Sequence, residues 1–98
     1  MKSKFNITKN NIKNGKQADP ADCAIAQAVK REMNKQGVKI KNVSVLPYDI
    51  RMDVFNSKTN KVCHLSATMP EYGANFIKKF DSGEKVKPFE LEVTFKKI

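Results

Sequence analysis

The pattern that most constrains the fold is the strict alternation of apolar and polar side chains in residues 89–95, Phe-Glu-Leu-Glu-Val-Thr-Phe. Successive side chains of an extended strand point to opposite faces, so the four apolar side chains share one face and the three polar ones share the other. Such a strand belongs to a sheet with one covered face and one solvated face. Another layer of the chain must cover the apolar face, and helices with an apolar stripe are suited to do so.

The first such helix is predicted for residues 20–36. Asp19 is suited to cap its N-terminus, and Pro20 fits the first helical position, where a missing N–H costs nothing. Apolar side chains then recur at helical spacing. This spacing assigns Val29 and Met33 to the buried face of the helix.

A second helix is predicted to start at Thr68, because Thr68 and Glu71 have the spacing of a capping box. Aromatic side chains follow at intervals of four residues, which places them on one face of the helix. They are Tyr72, Phe76 and Phe80, and we assign this stripe to the core.

The rest of the chain is typical of short strands and turns. Strands are predicted at residues 5–8, 38–46, 49–55 and 61–67. A bulge or a turn at Lys41–Asn42 interrupts the second of them. Residues 9–17 are predicted to form a turn or a short helical turn, and residues 56–60 a turn between strands.

These elements follow the order β-α-β-β-β-α-β and predict a single α+β domain over residues 1–98. We expect a two-layer sandwich in which a four- to five-stranded, mostly antiparallel sheet carries both helices on one face. The predicted core residues are Val29, Met33, Phe76, Phe80, Leu91 and Val93.

The chain is strongly basic, with 19 Lys and Arg against 10 Asp and Glu and a formal net charge of +9. Only Arg31 and Arg51 are Arg. Arg supplies the bidentate fork that reads guanine edges, whereas Lys acts as a mobile point charge. The composition therefore favours sequence-tolerant contact with a polyanion. A Lys-rich surface that only keeps the protein in solution has the same composition, so both interpretations stay open.

The basic residues form two clusters along the sequence. One extends from the end of the first helix into the next strand, and the other surrounds the end of the second helix and includes Lys85 and Lys87. They form one patch if the two helix ends lie side by side. The candidate residues for binding an anionic partner are Lys30, Arg31, Lys35, Lys39, Lys41, Arg51, Lys78 and Lys79.

Motifs for catalysis or metal binding are not found in the sequence. Cys23 and Cys63 lie outside any C-x-x-C pair, so we expect neither zinc nor a disulfide, and both are predicted to be buried thiols. His64 is the only histidine, and it forms a nucleophile–base pair only if it meets Cys23. We therefore predict a protein that is not an enzyme, with no catalytic residue, no cofactor and no metal.

The longest uninterrupted apolar run is residues 23–26, whereas a membrane span needs about 20 apolar residues. The basic N-terminus lacks the apolar core of a signal peptide. We therefore expect a cytoplasmic protein that does not bind membranes. The sequence leaves open whether it forms a homo-oligomer.

Three stretches match a recognisable pattern: residues 12–15, residues 19–26 and residues 76–89. The pattern is I-x-x-G, then D-x-x-x-C-P-I-A-x-A, then F-I-x-x-F-D-x-G-x-x-V-x-P-F, with Ala24 standing where Pro is frequent. Through this pattern, the chain resembles a group of small proteins encoded by phages and prophages. The shared motifs are mainly structural, since they fall on a helix start, a helix end and the last strand, and the resemblance implies no established activity. It implies a phage-type origin, and therefore a place in the host cytoplasm and an action on host defence or host enzymes.

Three functions follow from these observations. The first, which we favour, is a non-enzymatic phage accessory protein that counters a host defence by binding an anionic partner: a nucleic acid, a guide-RNA complex or a nucleotide signal. The second is a protein–protein inhibitor of a host or defence enzyme that uses a sheet edge or an exposed patch. The third is an enzyme built on Cys23 and His64. A steep salt dependence of binding favours the first over the second.

Overall fold

The structure adds one short helix to the predicted order of elements. The computed structural model describes residues 2–56 and 58–98. Its elements in chain order are β1 (Lys2–Ile7), α1 (Lys9–Asn14), α2 (Ala24–Lys35), β2 (Lys39–Val45), β3 (Asp49–Asn56), β4 (Lys61–Thr68), α3 (Glu71–Asp81) and β5 (Phe89–Lys97). The predicted α+β fold is confirmed, and α1 occupies part of the stretch predicted as a turn or a short helical turn.

Strand β5 joins the two halves of a five-stranded antiparallel sheet with the order β1-β5-β4-β3-β2. Residues 89–94 of β5 pair with β1, whereas only residues 95–97 pair with β4. The sheet therefore curls. Helix α2 lies inside the curl and contacts both edge strands, β1 and β2.

The core lies between the concave face of the sheet and the apolar stripes of α2 and α3. The predicted core residues are all buried: Val29, Met33, Phe76, Phe80, Leu91 and Val93. Gly73 lets α3 approach β5, because a Cβ at this position would lie 3.2 Å from Leu91 Cδ1 and 2.5 Å from Met69 Sδ.

The start of α2 differs from the prediction. The helix begins at Ala24 rather than at Pro20. The Pro20 carbonyl accepts a hydrogen bond from the Val45 N–H at 2.9 Å, so this carbonyl is directed to β2 and not along the helix. Asp19 caps the preceding turn instead, where its carboxylate accepts the Ala21 N–H at 3.0 Å.

The predicted capping box of the second helix is also wrong. Thr68 is the last residue of β4, where it pairs with Asp49. Helix α3 starts at Glu71 with Pro70 as its N-cap, and no side chain caps it. The meander thus continues through the residue that the local sequence assigns to a helix.

The irregularity in β2 is a bulge. Its pairing with β3 shifts between Ile40 and Asn42, which leaves Lys41 as the additional residue on the β2 side. Ser57, in the turn predicted for residues 56–60, lies outside the described residues. The longest helix described is α2, with 12 residues, and no helix in the described ranges is long and apolar enough to cross a membrane.

Candidate anion-binding surface

A groove of about 550 Å³ runs between α2 and the edge strand β2, and we call it the α2–β2 groove. It is lined by Ala21, Lys30, Arg31, Asn34, Val38, Lys39, Ile40, Lys41, Asn42 and Val43. Four of the eight predicted binding residues therefore meet here. No Asp or Glu is among these lining residues, and the carboxylates that act on its cations, Asp22, Glu32 and Asp53, are not part of the lining.

Lys39 and Lys41 are the two cations of the α2–β2 groove whose side chains make no hydrogen bond in the described chain. The pKa of the Asp53 carboxyl on β3 is lowered first by its hydrogen bond with His64, and the charge of Lys41 contributes to this lowering. Both side chains are exposed, and neither forms an ion pair within residues 2–56 and 58–98. Val38 directly precedes Lys39 and Ile40 lies between the two lysines; both apolar side chains are half-buried and pack against the core. The two exposed lysine side chains thus extend from a backbone segment that is anchored to the core by Val38 and Ile40.

Lys30 is partly tied to its own chain. Its Nζ donates a hydrogen bond to the Ala21 carbonyl and lies 4.0 Å from the Asp22 carboxylate. The side chain remains 45% exposed, so it keeps donors for a partner but starts with part of its charge compensated.

Arg31 connects three elements and is not the freely exposed cation that its place in a basic cluster suggests. Its Nη1 donates to Asn11 Oδ1 in α1 at 2.8 Å, and its Nη2 donates to the Asn6 carbonyl in β1. Its Nε lies 3.4 Å from the Glu32 carboxylate, and the side chain is 31% exposed. Most of the guanidinium is therefore used to hold α2 inside the curl of the sheet.

Lys35 and Arg51 lie outside the α2–β2 groove. Lys35 is exposed in the last turn of α2, 3.8 Å from the Glu32 carboxylate. Arg51 is on the convex face of the sheet, where its Nε donates to Asp49 Oδ2 at 3.1 Å. Both Arg side chains of the protein are thus paired with groups of the chain itself.

Lys78 and Lys79 belong to a different region of the surface. They lie in the last turn of α3, and Asp81 beside them accepts a hydrogen bond from the Ala18 N–H at 2.8 Å. Ala18 precedes α2, so the end of α3 lies near the N-terminal end of α2. Lys35 is at the opposite end of that helix, about 18 Å away along its axis. Lys35 and the pair Lys78 and Lys79 therefore do not belong to one patch.

The second cluster contributes to a groove of its own, of about 420 Å³, which we call the α3–β5 groove. It is lined by Tyr72, Asn75, Phe76, Lys79, Lys85, Val86, Lys87, Pro88 and Phe89. Tyr72, assigned to the core by its spacing, is 48% exposed here. Its hydroxyl needs a polar partner and accepts the Glu92 N–H at 3.0 Å, which holds the ring at the surface.

The α3–β5 groove is a site that the sequence interpretation missed. Helical spacing assigns all three aromatic side chains of α3 to the core, and the sequence places Lys85 and Lys87 only in a basic cluster. Their alternation directly before Phe89 was the available signal, because it places two cations beside an aromatic ring on an extended segment.

The structure separates Cys23 from His64. Cys23 is buried at the N-terminus of α2, between the sheet and the helices. His64 is exposed on the convex face of the sheet, opposite Asp53 in the next strand. Burial raises the pKa of the Cys23 thiol, which opposes formation of the reactive thiolate. These two residues therefore do not form a nucleophile–base pair in this fold.

His64 takes part instead in a polar cluster across three strands. Its Nδ1 lies 2.6 Å from Asp53 Oδ1, and Asn42 Nδ2 donates to Asp53 Oδ2 at 3.3 Å. The hydrogen bond with His64, followed by that from Asn42, holds the pKa of the Asp53 carboxyl below its usual range. Within the described part of the chain, no three His, Cys, Asp or Glu side chains are grouped so that they could hold a metal ion.

Comparison of the chain with protein-family models, curated proteins and solved structures gives no match. The functional interpretation of the two grooves therefore depends on their own residues, charges and shapes.

Proposed function

We propose that this protein is a non-enzymatic accessory protein of the phage type that binds the phosphate backbone of a nucleic acid through the α2–β2 groove. The observation that carries the proposal is the pair Lys39 and Lys41, exposed and without an ion pair in the described chain, in a groove with no lining carboxylate. Counter-defence is the role that the resemblance to phage proteins implies for such binding.

The side chains available at the groove favour phosphate over base contacts. Arg forks make the commonest specific contact with guanine, but Arg31 and Arg51 are already engaged with Asn11, Asn6 and Asp49. The cations left for a partner are Lys, which bind phosphates as point charges without a fixed geometry. Contacts of this type position a nucleic acid but do not read its sequence.

Lysines and a bulge on an edge strand have a second physical role, since they prevent β2 from pairing with strands of other molecules. That role needs charge only at the edge. The α2–β2 groove adds Lys30 and the amide side chain of Asn34 on the facing helix. Donors on both walls, with no acceptor carboxylate between them, favour a bound anion over simple protection of the edge.

The experiment compares two charge-reversal variants on duplex DNA of about 20 base pairs. In Lys39→Glu/Lys41→Glu the change lies in the groove. In the control, Lys96→Glu/Lys97→Glu, the same change of net charge lies on β5, three strands and about 14 Å from β2. A duplex keeps its bases stacked inside, so its binding reports contacts with the backbone.

We expect wild-type affinity to fall steeply between 50 and 200 mM salt. Removal of two lysine–phosphate contacts should reduce the slope of log K against log salt by about 1.8. The Lys39/Lys41 variant should show this reduced slope and bind at least about tenfold more weakly at low salt. The control should keep most of the wild-type slope and most of the wild-type affinity. Equal losses in the two variants would show that only net charge matters and would refute a groove site. Binding to a protein partner that resists salt would favour the inhibitor alternative.

A further inference from the structure

The α3–β5 groove has an aromatic end and a cationic end. Tyr72, Asn75, Phe76 and Lys79 follow one another along one face of α3. The segment of residues 85–89 forms the other wall and runs back along the helix: Glu84 N–H bonds to the Lys79 carbonyl, and Phe89 returns to Tyr72. Tyr72 and Lys79 are seven residues apart, about 10 Å along the helix axis.

The aromatic end is rigid and partly exposed. The rings of Tyr72 and Phe89 meet edge to face with centroids 6.1 Å apart, and Phe76 lies 4.7 Å from Phe89 beneath them. Phe76 is buried, whereas Tyr72 is 48% exposed. The Glu92 N–H holds the Tyr72 oxygen at 3.0 Å, and the hydroxyl proton remains available as a donor. The protein thus presents a fixed aromatic surface to solvent.

The cationic end has three lysines from two walls. Lys79 comes from α3, and Lys85 and Lys87 come from the extended segment. All three are exposed, and none forms an ion pair in the part of the chain that the structure describes. The residues that line the groove include no Asp or Glu, so all charged side chains of the lining are positive.

We propose that the α3–β5 groove is a second binding site and that it takes a nucleotide unit, with the base on Tyr72 and the phosphates on Lys79, Lys85 and Lys87. A nucleotide has a flat ring at one end and negative charge at the other, as the groove requires. Stacking on an aromatic side chain tolerates any base, and lysines match phosphate without a fixed geometry. Asn75, between the two ends, offers an amide to a base or sugar.

This site goes beyond the proposed binding of a phosphate backbone, since it requires an unstacked base. A duplex satisfies the α2–β2 groove by charge alone, but its bases cannot reach Tyr72. A free nucleotide or an unpaired strand can satisfy the α3–β5 groove. The two proposals therefore respond to different probes and to different substitutions, and either can fail alone.

The test measures binding of ATP, inorganic tripolyphosphate and adenosine by titration calorimetry, and follows the Tyr ring signals by NMR. We expect ATP to bind more tightly than either of its parts and to shift the Tyr72 ring signals. Tyr72→Leu should weaken ATP binding about tenfold and leave tripolyphosphate unchanged. Tyr48→Leu is the matched control, because Tyr48 is 67% exposed and lies outside the groove. Tyr72→Phe keeps the ring and should retain most of the affinity if the fold is intact.

Lys85→Glu/Lys87→Glu should weaken ATP and tripolyphosphate together, whereas Lys96→Glu/Lys97→Glu, at the far end of β5, should weaken neither by a comparable factor. A six-nucleotide single strand is the second probe: tighter binding than ATP identifies a strand as the source of the nucleotide, and weaker binding identifies a free nucleotide. Tripolyphosphate that binds as tightly as ATP, or ATP binding that survives Tyr72→Leu unchanged, would overturn the site. So would the absence of binding by both nucleotide probes at millimolar concentration.

Discussion

The carboxylate of Asp81 accepts a hydrogen bond from the backbone N–H of Ala18, 63 residues earlier in the chain, at 2.8 Å. Ala18 has a positive φ of 55°, an uncommon backbone conformation for a residue other than glycine. Nearby, a Cβ on Gly15 would lie 2.5 Å from the Ala24 nitrogen, so α1 ends directly against the start of α2. Residues from the three stretches that carry the resemblance proposed from the sequence thus meet at one corner, which gives those stretches a structural role.

Removal of the Asp81 carboxylate should loosen this corner. We expect Asp81→Ala to lower the free energy of unfolding by about 1 kcal/mol, the usual worth of one hydrogen bond. Asp81→Asn keeps an acceptor oxygen and is the matched control, so it should lose less. Urea denaturation of both variants measures the difference. Equal stability of Asp81→Ala and wild type would show that the bond with Ala18 contributes nothing to folding.

The aromatic side chains of α3 should differ in their contribution to stability. Phe76 is 8% exposed and Tyr72 is 48% exposed. Truncation of Phe76 to Ala should cost about 3–5 kcal/mol, whereas Tyr72→Ala should cost about 1–2 kcal/mol because water already covers half of the ring. Thermal unfolding of the two variants checks this order. A loss below about 1 kcal/mol for Phe76→Ala would mean that its ring is not part of the core.

Local patterns in the sequence were sufficient for most of the fold. Alternation identified β3, β4 and β5 because most of the apolar side chains of each share one face, and helical spacing identified α2 and α3. The helix starts were wrong for a reason that is not local. The Pro20 carbonyl accepts a hydrogen bond from the Val45 N–H, and Thr68 extends β4 opposite Asp49. Tertiary partners outside the window of a capping motif decided both boundaries.

The candidate sites were less predictable than the fold, because they depend on which ends of elements lie side by side. Sequence alone could not show that the end of α3 lies beside the start of α2. This arrangement separates Lys79 from Lys35, because Lys35 is at the other end of α2. It also could not show that the Arg31 guanidinium donates its hydrogen bonds to Asn6 and Asn11. The cluster of Lys39 with Lys41 was predictable, since both lie on one strand.

The two thiols should react at different rates. Cys23 is 7% exposed and burial raises the pKa of its thiol, whereas Cys63 is half-buried in β4. Alkylation requires an accessible thiolate. We therefore expect iodoacetamide at pH 8 to modify Cys63 first and Cys23 only on unfolding, as measured by peptide mass spectrometry. Early modification of Cys23 in the folded protein would show that the start of α2 opens locally.

The pair Asp53 and His64 should give an acid-side pH dependence. The pKa of Asp53 is lowered in the folded protein, first by the hydrogen bond with His64. A lowered pKa stabilises the fold above the ordinary aspartate pKa of about 3.9, and this contribution is lost as the pH falls through the lowered value. His64→Ala should move the Asp53 pKa up towards its ordinary value, as followed by NMR titration of the carboxyl carbon. An unchanged pKa would assign the shift to Asn42 and Lys41 instead of His64.

The last prediction concerns Arg31, which the sequence places in the binding surface and the structure places at a junction. Its guanidinium bridges Asn11 in α1 and Asn6 in β1. Arg31→Ala leaves these acceptors without their charged donor and should lower the free energy of unfolding by about 1–3 kcal/mol. Arg31→Lys keeps the charge but has no planar fork to reach both acceptors, so it should recover only part of that loss.

Lys39→Ala is the matched control for Arg31, because it removes a cation of the same groove that contacts no acceptor in the described chain. Its stability should stay within about 0.5 kcal/mol of wild type. Urea denaturation of the three variants separates the two roles. If Arg31→Ala unfolds at the wild-type midpoint, the guanidinium does not hold α2 in place. Its donors would then be available to a phosphate, and the α2–β2 groove would contain one more binding cation than we assign to it.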